Sequence, residues 1–205
     1  MSTIVVVNKN GKACIAADSL TTFGDLRMGS AYDRSYDKIQ AYKGGHFGIV
    51  GSAAHALVME SVLSDDKIEI DFSSRMGIFE TFRVLHPVLK EHYFLNSKDE
   101  EDDPYEATHI DALICNPNGI FGVYSLREVS EYHKFWAIGS GSEFALGAMH
   151  ALYERLDSAE EIARAAIEAG CEFNSSSALP MSVKVVDLVA EWPENKPENQ
   201  PEGEG

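Results

Sequence analysis

Apolar residues fall in two different rhythms along this chain. Ile4-Val5-Val6-Val7 is an unbroken β-branched run, and Ala13-Cys14-Ile15-Ala16-Ala17 follows it across Asn8-Lys9-Asn10-Gly11. Two apolar runs about an Asn/Gly turn predict an antiparallel hairpin. Ile39 to Tyr42, the Gly44-Gly45 turn and His46 to Gly51 predict a second pair. The rhythm then lengthens. Ala53, Ala56, Leu57, Met59 and Val62 recur at helical steps and predict a helix over Ser52 to Leu63. Ile78, Phe79, Phe82, Leu85, Val88, Leu89 and Phe94 predict another over Ser73 to Leu95, as one piece or two broken near Pro87. His109 to Cys115 and Ile120 to Ser125 read as strands about Asn116-Pro117-Asn118-Gly119. Helices follow at Glu143 to Arg155 and at Ala159 to Phe173, the second headed by Ser158 with Glu161 in capping-box position. Ser182 to Val189 is a last strand. The order suits an α+β domain with two stacked antiparallel sheets between helix layers.

Composition narrows the class. The 205 residues are enough for a sizeable core, and 1–190 reads as one domain with no strong linker. Residues 191–205 are rich in Pro and Glu and predict a disordered acidic tail. No apolar run approaches the roughly 18–20 residues that span a bilayer. The N-terminus lacks a basic, cleavable leader, so a cytoplasmic protein with no membrane partner is expected. Seventeen basic residues against 33 acidic give a net charge of −16, which repels phosphate and argues against nucleic acid. Asp99-Glu100-Glu101-Asp102-Asp103 and Glu106 lack calcium-loop spacing and read as a solvated loop. Cys14, Cys115 and Cys171 are far apart and read as buried and reduced. The seven His residues show no metal-binding spacing, and no cofactor is expected.

The chemistry sits at the start of the chain. Ser2 follows the initiator Met, and a small residue there favours Met removal. Removal would free an α-amine on the residue that carries the hydroxyl. That amine titrates near about 7.7–8.0, so it can take the hydroxyl's proton at neutral pH. The hairpin would bring Asp18 back beside Ser2, and Lys38 opens the next apolar stretch. Gly139-Ser140-Gly141 is not the Gly-x-Ser-x-Gly elbow of an α/β-hydrolase. Taken singly, each residue has a common reading: Asp18 and Lys38 an ion pair, Gly48 a packing glycine, Ser140 a helix cap, His46 a strand residue.

Taken in order, Ser2-Thr3-Ile4-Val5, Gly11 through Ala16-Ala17-Asp18, Asp37-Lys38-Ile39, Gly48, and Trp136-Ala137-Ile138-Gly139-Ser140-Gly141-Ser142 resemble the proteasome β-subunit and HslV peptidase family. The resemblance runs from Ser2 to Val189. Asp18 falls on the family's catalytic Asp without a gap. Lys38 falls on its Lys after a short insertion within Gly29–Ser35; an ungapped count would land on Arg34 instead. The resemblance implies the four-layer αββα sandwich of N-terminal nucleophile hydrolases. It implies Ser2 as nucleophile, Asp18 and Lys38 as its charged partners, and the Gly48 N–H as oxyanion donor. It places Ser140 beside the amine, and Glu172 with Ser175 where proteasome subunits carry an Asp and a Ser at that spacing. Thr22 matches the Thr whose backbone pairs with extended substrate, and His46 occupies a position lining the specificity pocket. Unfolded protein or peptide as substrate, a homo-oligomeric double ring and an ATP-dependent unfoldase as candidate partner come with the family. Two other readings stay open: a weak or inactive ring acting as scaffold, and a stand-alone hydrolase of small amides.

Overall fold

The computed structural model describes residues 2–65, 67–98 and 104–189. Met1, the acidic run 99–103 and the 191–205 tail lie outside the described residues.

A four-stranded antiparallel sheet is built from β1 (Thr3–Lys9), β2 (Lys12–Asp18), β10 (Phe135–Gly139) and β11 (Met181–Asp187), in the order β10-β1-β2-β11. A five-stranded sheet holds β5 (Ile39–Tyr42), β6 (Gly45–Val50), β7 (Asp111–Asn116), β8 (Gly119–Val123) and β9 (Val129–Tyr132), in sequential order. The small hairpin β3 (Thr21–Phe23) and β4 (Leu26–Met28) stands apart. Helices α1 (Ala53–Leu63) and α2 (Arg75–His92) precede β7, and α3 (Ser142–Leu152) and α4 (Ala159–Phe173) precede β11.

Alternation along the strands sets the layers. Ile4, Val6, Ala13, Ile15 and Ala17 pack with Leu113, Cys115 and Ile120 of the other sheet. Their neighbours Val5, Val7, Cys14 and Ala16 pack against Ala145, Met149, Ile162 and Ile167 of α3 and α4. Phe47, Ile114, Phe121 and Val123 meet Met59, Val62, Phe82 and Leu85 of α1 and α2. The result is α1/α2, sheet, sheet, α3/α4: the expected αββα sandwich. Strands covered on both faces have no polar alternation, which is why Ile4 to Val7 of β1 are all apolar.

Helix α2 is unbroken, with Pro87 inside it. Pro87 lies on the exposed face, where the carbonyl it leaves unpaired can be met by water. Three elements have too few residues to show a period. Strands β3, β4 and β9 are three or four residues long and were not anticipated. The β3–β4 hairpin turns at Gly24, whose φ of +59° suits glycine, and leaves Phe23 and Leu26 exposed.

Candidate active site

Ser2 lies at the head of β1, 7% exposed, between β2 and β10. Its carbonyl accepts from the Ser140 N–H at 2.8 Å. The next residue is held on both sides. Thr3 N–H donates to Asp18 Oδ1 at 2.9 Å, and Thr3 Oγ1 lies 2.6 Å from Ser177 Oγ. Glycines make this fit possible. A Cβ on Gly139 would run into the Ser2 carbonyl, and one on Gly141 into Thr3 Oγ1. One on Gly170 would lie 2.9 Å from Thr3 Cγ2.

Asp18 ends β2 with a side chain shut off from solvent, and Lys38 reaches it from the segment leading into β5. Lys38 Nζ donates to Asp18 Oδ1 at 2.8 Å and to the Leu20 carbonyl at 2.7 Å. The two side chains are 14% and 0% exposed. Asp18 Oδ2 also accepts from the backbone N–H groups of Leu20 and Ala178. Four donors therefore fix a buried carboxylate, which is what holding an ion out of water requires. Burial pulls the Lys38 ammonium below its usual pKa, and Asp18 opposes that pull. Arg34 is exposed on the 29–37 loop and does not line the site.

Beside Ser2 opens a cavity of about 990 Å³, lined among others by Thr22 on β3, Lys38, Gln40, Ile49 and Ala53. Gly48 lies over β1. A Cβ there would stand 3.0 Å from Ile4 Cδ1 and 3.4 Å from the Lys38 carbonyl, so the absent side chain lets the two sheets close beside the site.

Other expected residues lie elsewhere. Glu172 and Ser175 are both exposed. Their expected places are taken by Asn174 and Ser177, the same three residues apart but shifted by two. Ser140 Oγ donates to Asn174 Oδ1 at 3.0 Å, and Asn174 Nδ2 donates back to the Ser140 carbonyl at 2.8 Å. The stripe of α4 accounts for the shift once its face against the sheet is known. Ile162, Ala163, Ala166, Ile167 and Gly170 face the sheet, and the next position on that face is 174, not 172. His46 does not line the cavity either. On β6 its neighbour Phe47 faces the helices, so His46 points the other way, toward the opposite sheet. Burial and Lys184 push its imidazole pKa down against the pull of Asp37. Its Nδ1 is buried without a hydrogen-bond partner among the described residues. Among the described residues no group of His, Cys, Asp or Glu is placed to hold a metal ion. None of their helices is long and apolar enough to cross a membrane.

No family model matches the chain, and no curated protein matches it. Solved structures do. BPH from Thiobacillus denitrificans is 39% identical, with a TM-score of 0.84 over 92% of this chain and 100% of that one. The same protein in complex with epoxomicin matches with 38% identity and the same TM-score and coverage. Eukaryotic HslV from Trypanosoma brucei is 21% identical, with a TM-score of 0.68 over 90% of this chain and 99% of that one; it is similar in fold. The four layers are those of the N-terminal nucleophile hydrolases. Within that class, the chain belongs to the proteasome-like peptidase family of BPH and HslV.

Proposed function

We propose that this protein is a proteasome-like endopeptidase whose nucleophile is Ser2, exposed by removal of Met1. The reading rests above all on the buried Lys38–Asp18 pair beside Ser2, at the wall of a large cavity. A cation held in that place lowers the cost of forming an alkoxide and keeps the neighbouring amine unprotonated.

Ser2 Oγ attacks the scissile carbonyl carbon while its proton passes to the Ser2 α-amine. Gly48, expected as the oxyanion donor, lies paired between β5 and β7 and does not line the cavity; the Gly51 N–H, just past β6 on the cavity wall, would take that role instead. The tetrahedral centre collapses, the C–N bond breaks, and the leaving amine takes the proton from the ammonium. Water then attacks the Ser2 ester, gives its proton to the α-amine, and releases the carboxylic acid with the hydroxyl restored. Asp18 holds Lys38 charged and oriented. Ser140, fixed by Asn174, positions the Ser2 carbonyl, and Thr22 would present its backbone to extended substrate.

Such a nucleophile is unselective, and a homo-oligomeric double ring would confine it to unfolded chains. An ATP-dependent unfoldase would then supply the substrate. The structure of the T. denitrificans relative with epoxomicin supports a protease reading and supplies a probe. Intact mass should show a chain one Met lighter, and epoxomicin should label Ser2. Ser2→Ala should abolish both labelling and peptide cleavage. Full turnover by Ser2→Ala, or by a chain retaining Met1, overturns the mechanism.

A further inference from the structure

The cavity beside Ser2 is lined by more acidic than basic side chains. Its walls include Asp33, Asp37 and Glu60, and Lys38 is the one cation among the residues that line it. That cation is already satisfied by Asp18 at 2.8 Å. Asp33 and Asp37 lie on the loop where the short insertion falls. Each turns one oxygen onto a backbone N–H two residues on, Asp33 to Ser35 and Asp37 to Ile39. Asp37 also has Lys184 at 3.5 Å, a residue that does not reach the cavity.

Glu60 differs from both. It sits on α1 on the stripe that faces the cavity, with Ala53, Ala56 and Leu57 above it. Among the described residues its carboxylate has no cation and no hydrogen-bond donor. The lining thus combines the small and apolar Ala53, Ala56 and Leu57 with the polar Thr21, Thr22, Gln40 and Ser52, and Glu60 is an exposed, unpaired carboxylate on the same helix wall. That is the shape of a site for an aliphatic stem with a cationic head, since Lys and Arg bury their stems and keep their charge outward. The net charge of −16 adds a long-range pull on the same kind of substrate.

We infer that this pocket selects a basic substrate side chain, Lys or Arg, with Glu60 as the residue that determines the choice. The inference rests on the peptidase reading above and adds the substrate class. Asp33 and Asp37 deepen the negative field at the mouth, and Glu60 pairs with the cationic head. Arg makes the stronger pair, because its planar fork meets a carboxylate with two hydrogen bonds.

The test is a set of fluorogenic peptides that differ only in the residue before the reporter: Arg, Leu or Glu. The processed wild-type enzyme should show kcat/KM in the order Arg, Leu, Glu. Glu60→Gln should cut the Arg-to-Leu ratio about tenfold, the loss expected for a charge-assisted pair. Glu60→Lys should place the Glu peptide ahead of the Arg peptide. Raising salt to about 0.5 M should shrink the wild-type ratio, since exposed charges are screened. A Leu or Glu peptide cleaved fastest by wild type, or a ratio unmoved by Glu60→Gln, overturns the inference. Epoxomicin labelling separates the two levels. Labelled Ser2 with no charge preference leaves the peptidase standing and removes only the basic specificity. No labelling and no cleavage of any peptide removes both.

Discussion

Asn174 and Ser140 exchange a reciprocal pair of hydrogen bonds across the gap between α4 and the β10–α3 turn. Ser140 Oγ donates at 3.0 Å and Asn174 Nδ2 at 2.8 Å. Because the Ser140 N–H holds the Ser2 carbonyl, the end of α4 is coupled to the head of β1 through one residue. Asn174→Leu keeps the size and removes both bonds. It should lower kcat about tenfold with a smaller effect on KM, since each lost bond is worth about 1 kcal/mol. Asn174→Asp keeps the acceptor but turns a second oxygen on the Ser140 carbonyl. Steady-state kinetics on both variants, with melting curves to confirm folding, checks the coupling; equal kcat in all three proteins would break it.

Gly139 carries a φ of +94° and abuts the Ser2 carbonyl. Gly139→Ala adds backbone strain and a steric clash at once. We expect a loss of about 2–4 kcal/mol in urea unfolding. Residual activity should fall further than stability at the assay temperature accounts for, because the clash displaces Ser2 itself. A variant of wild-type stability would show that β10 can move aside.

Lys38, not Arg34, should be the cation that matters. Lys38→Ala leaves the Asp18 charge buried with only backbone donors. It should cost about 3 kcal/mol of stability and lower turnover by orders of magnitude. Arg34→Ala, on an exposed loop, should change turnover less than about twofold. The reverse ranking would mean that the insertion has been placed wrongly.

The depressed pKa of Lys38 makes two predictions of opposite sign. Between its folded value and its usual 10.5, the unfolded chain binds more protons than the folded one. Stability contributed by this group therefore rises with pH across that window. Turnover should fall across the same window, as Lys38 loses the charge that the mechanism uses. A kcat/KM profile with an alkaline limb below pH 10.5, measured beside urea midpoints, would show both. A flat profile up to 10.5 would show that the charge on Lys38 is not needed.

Ser2→Thr tests the nucleophile's freedom. The added methyl restricts χ1, whereas Ser keeps more rotamers open. A restriction of that kind is worth at most about 1.4 kcal/mol, so peptide turnover should stay within about tenfold of wild type. An assembled but inactive Thr variant, beside an active wild type, would show that the site is built differently.

The strands and helices were legible wherever a period had room to repeat. β1, β2, α1 and α4 each carry enough residues to show their type, and α4 also shows which way it faces. Hairpin β3–β4 and strand β9 do not, because three or four residues cannot distinguish alternation from chance. Asp18 and Lys38 were legible because both flank apolar strands whose pairing is fixed by a turn. His46 was misplaced because alternation along β6 decides its direction. Phe47 takes the helix side, which sends His46 between the sheets toward Asp37 and Lys184.

By itself the sequence determined a hydroxyl behind the first Met, a hairpin returning a carboxylate to it, and the helical stripe of α4. These are local properties, set by turn chemistry and periodicity. Only the tertiary structure decided that Asn174 and Ser177, rather than Glu172 and Ser175, reach the head of β1. That choice depends on the phase at which α4 ends against the sheet. The acidic lining of the cavity was likewise a tertiary matter: Asp33, Asp37 and Glu60 come from a loop and a helix that meet only when α1 packs on β5 and β6.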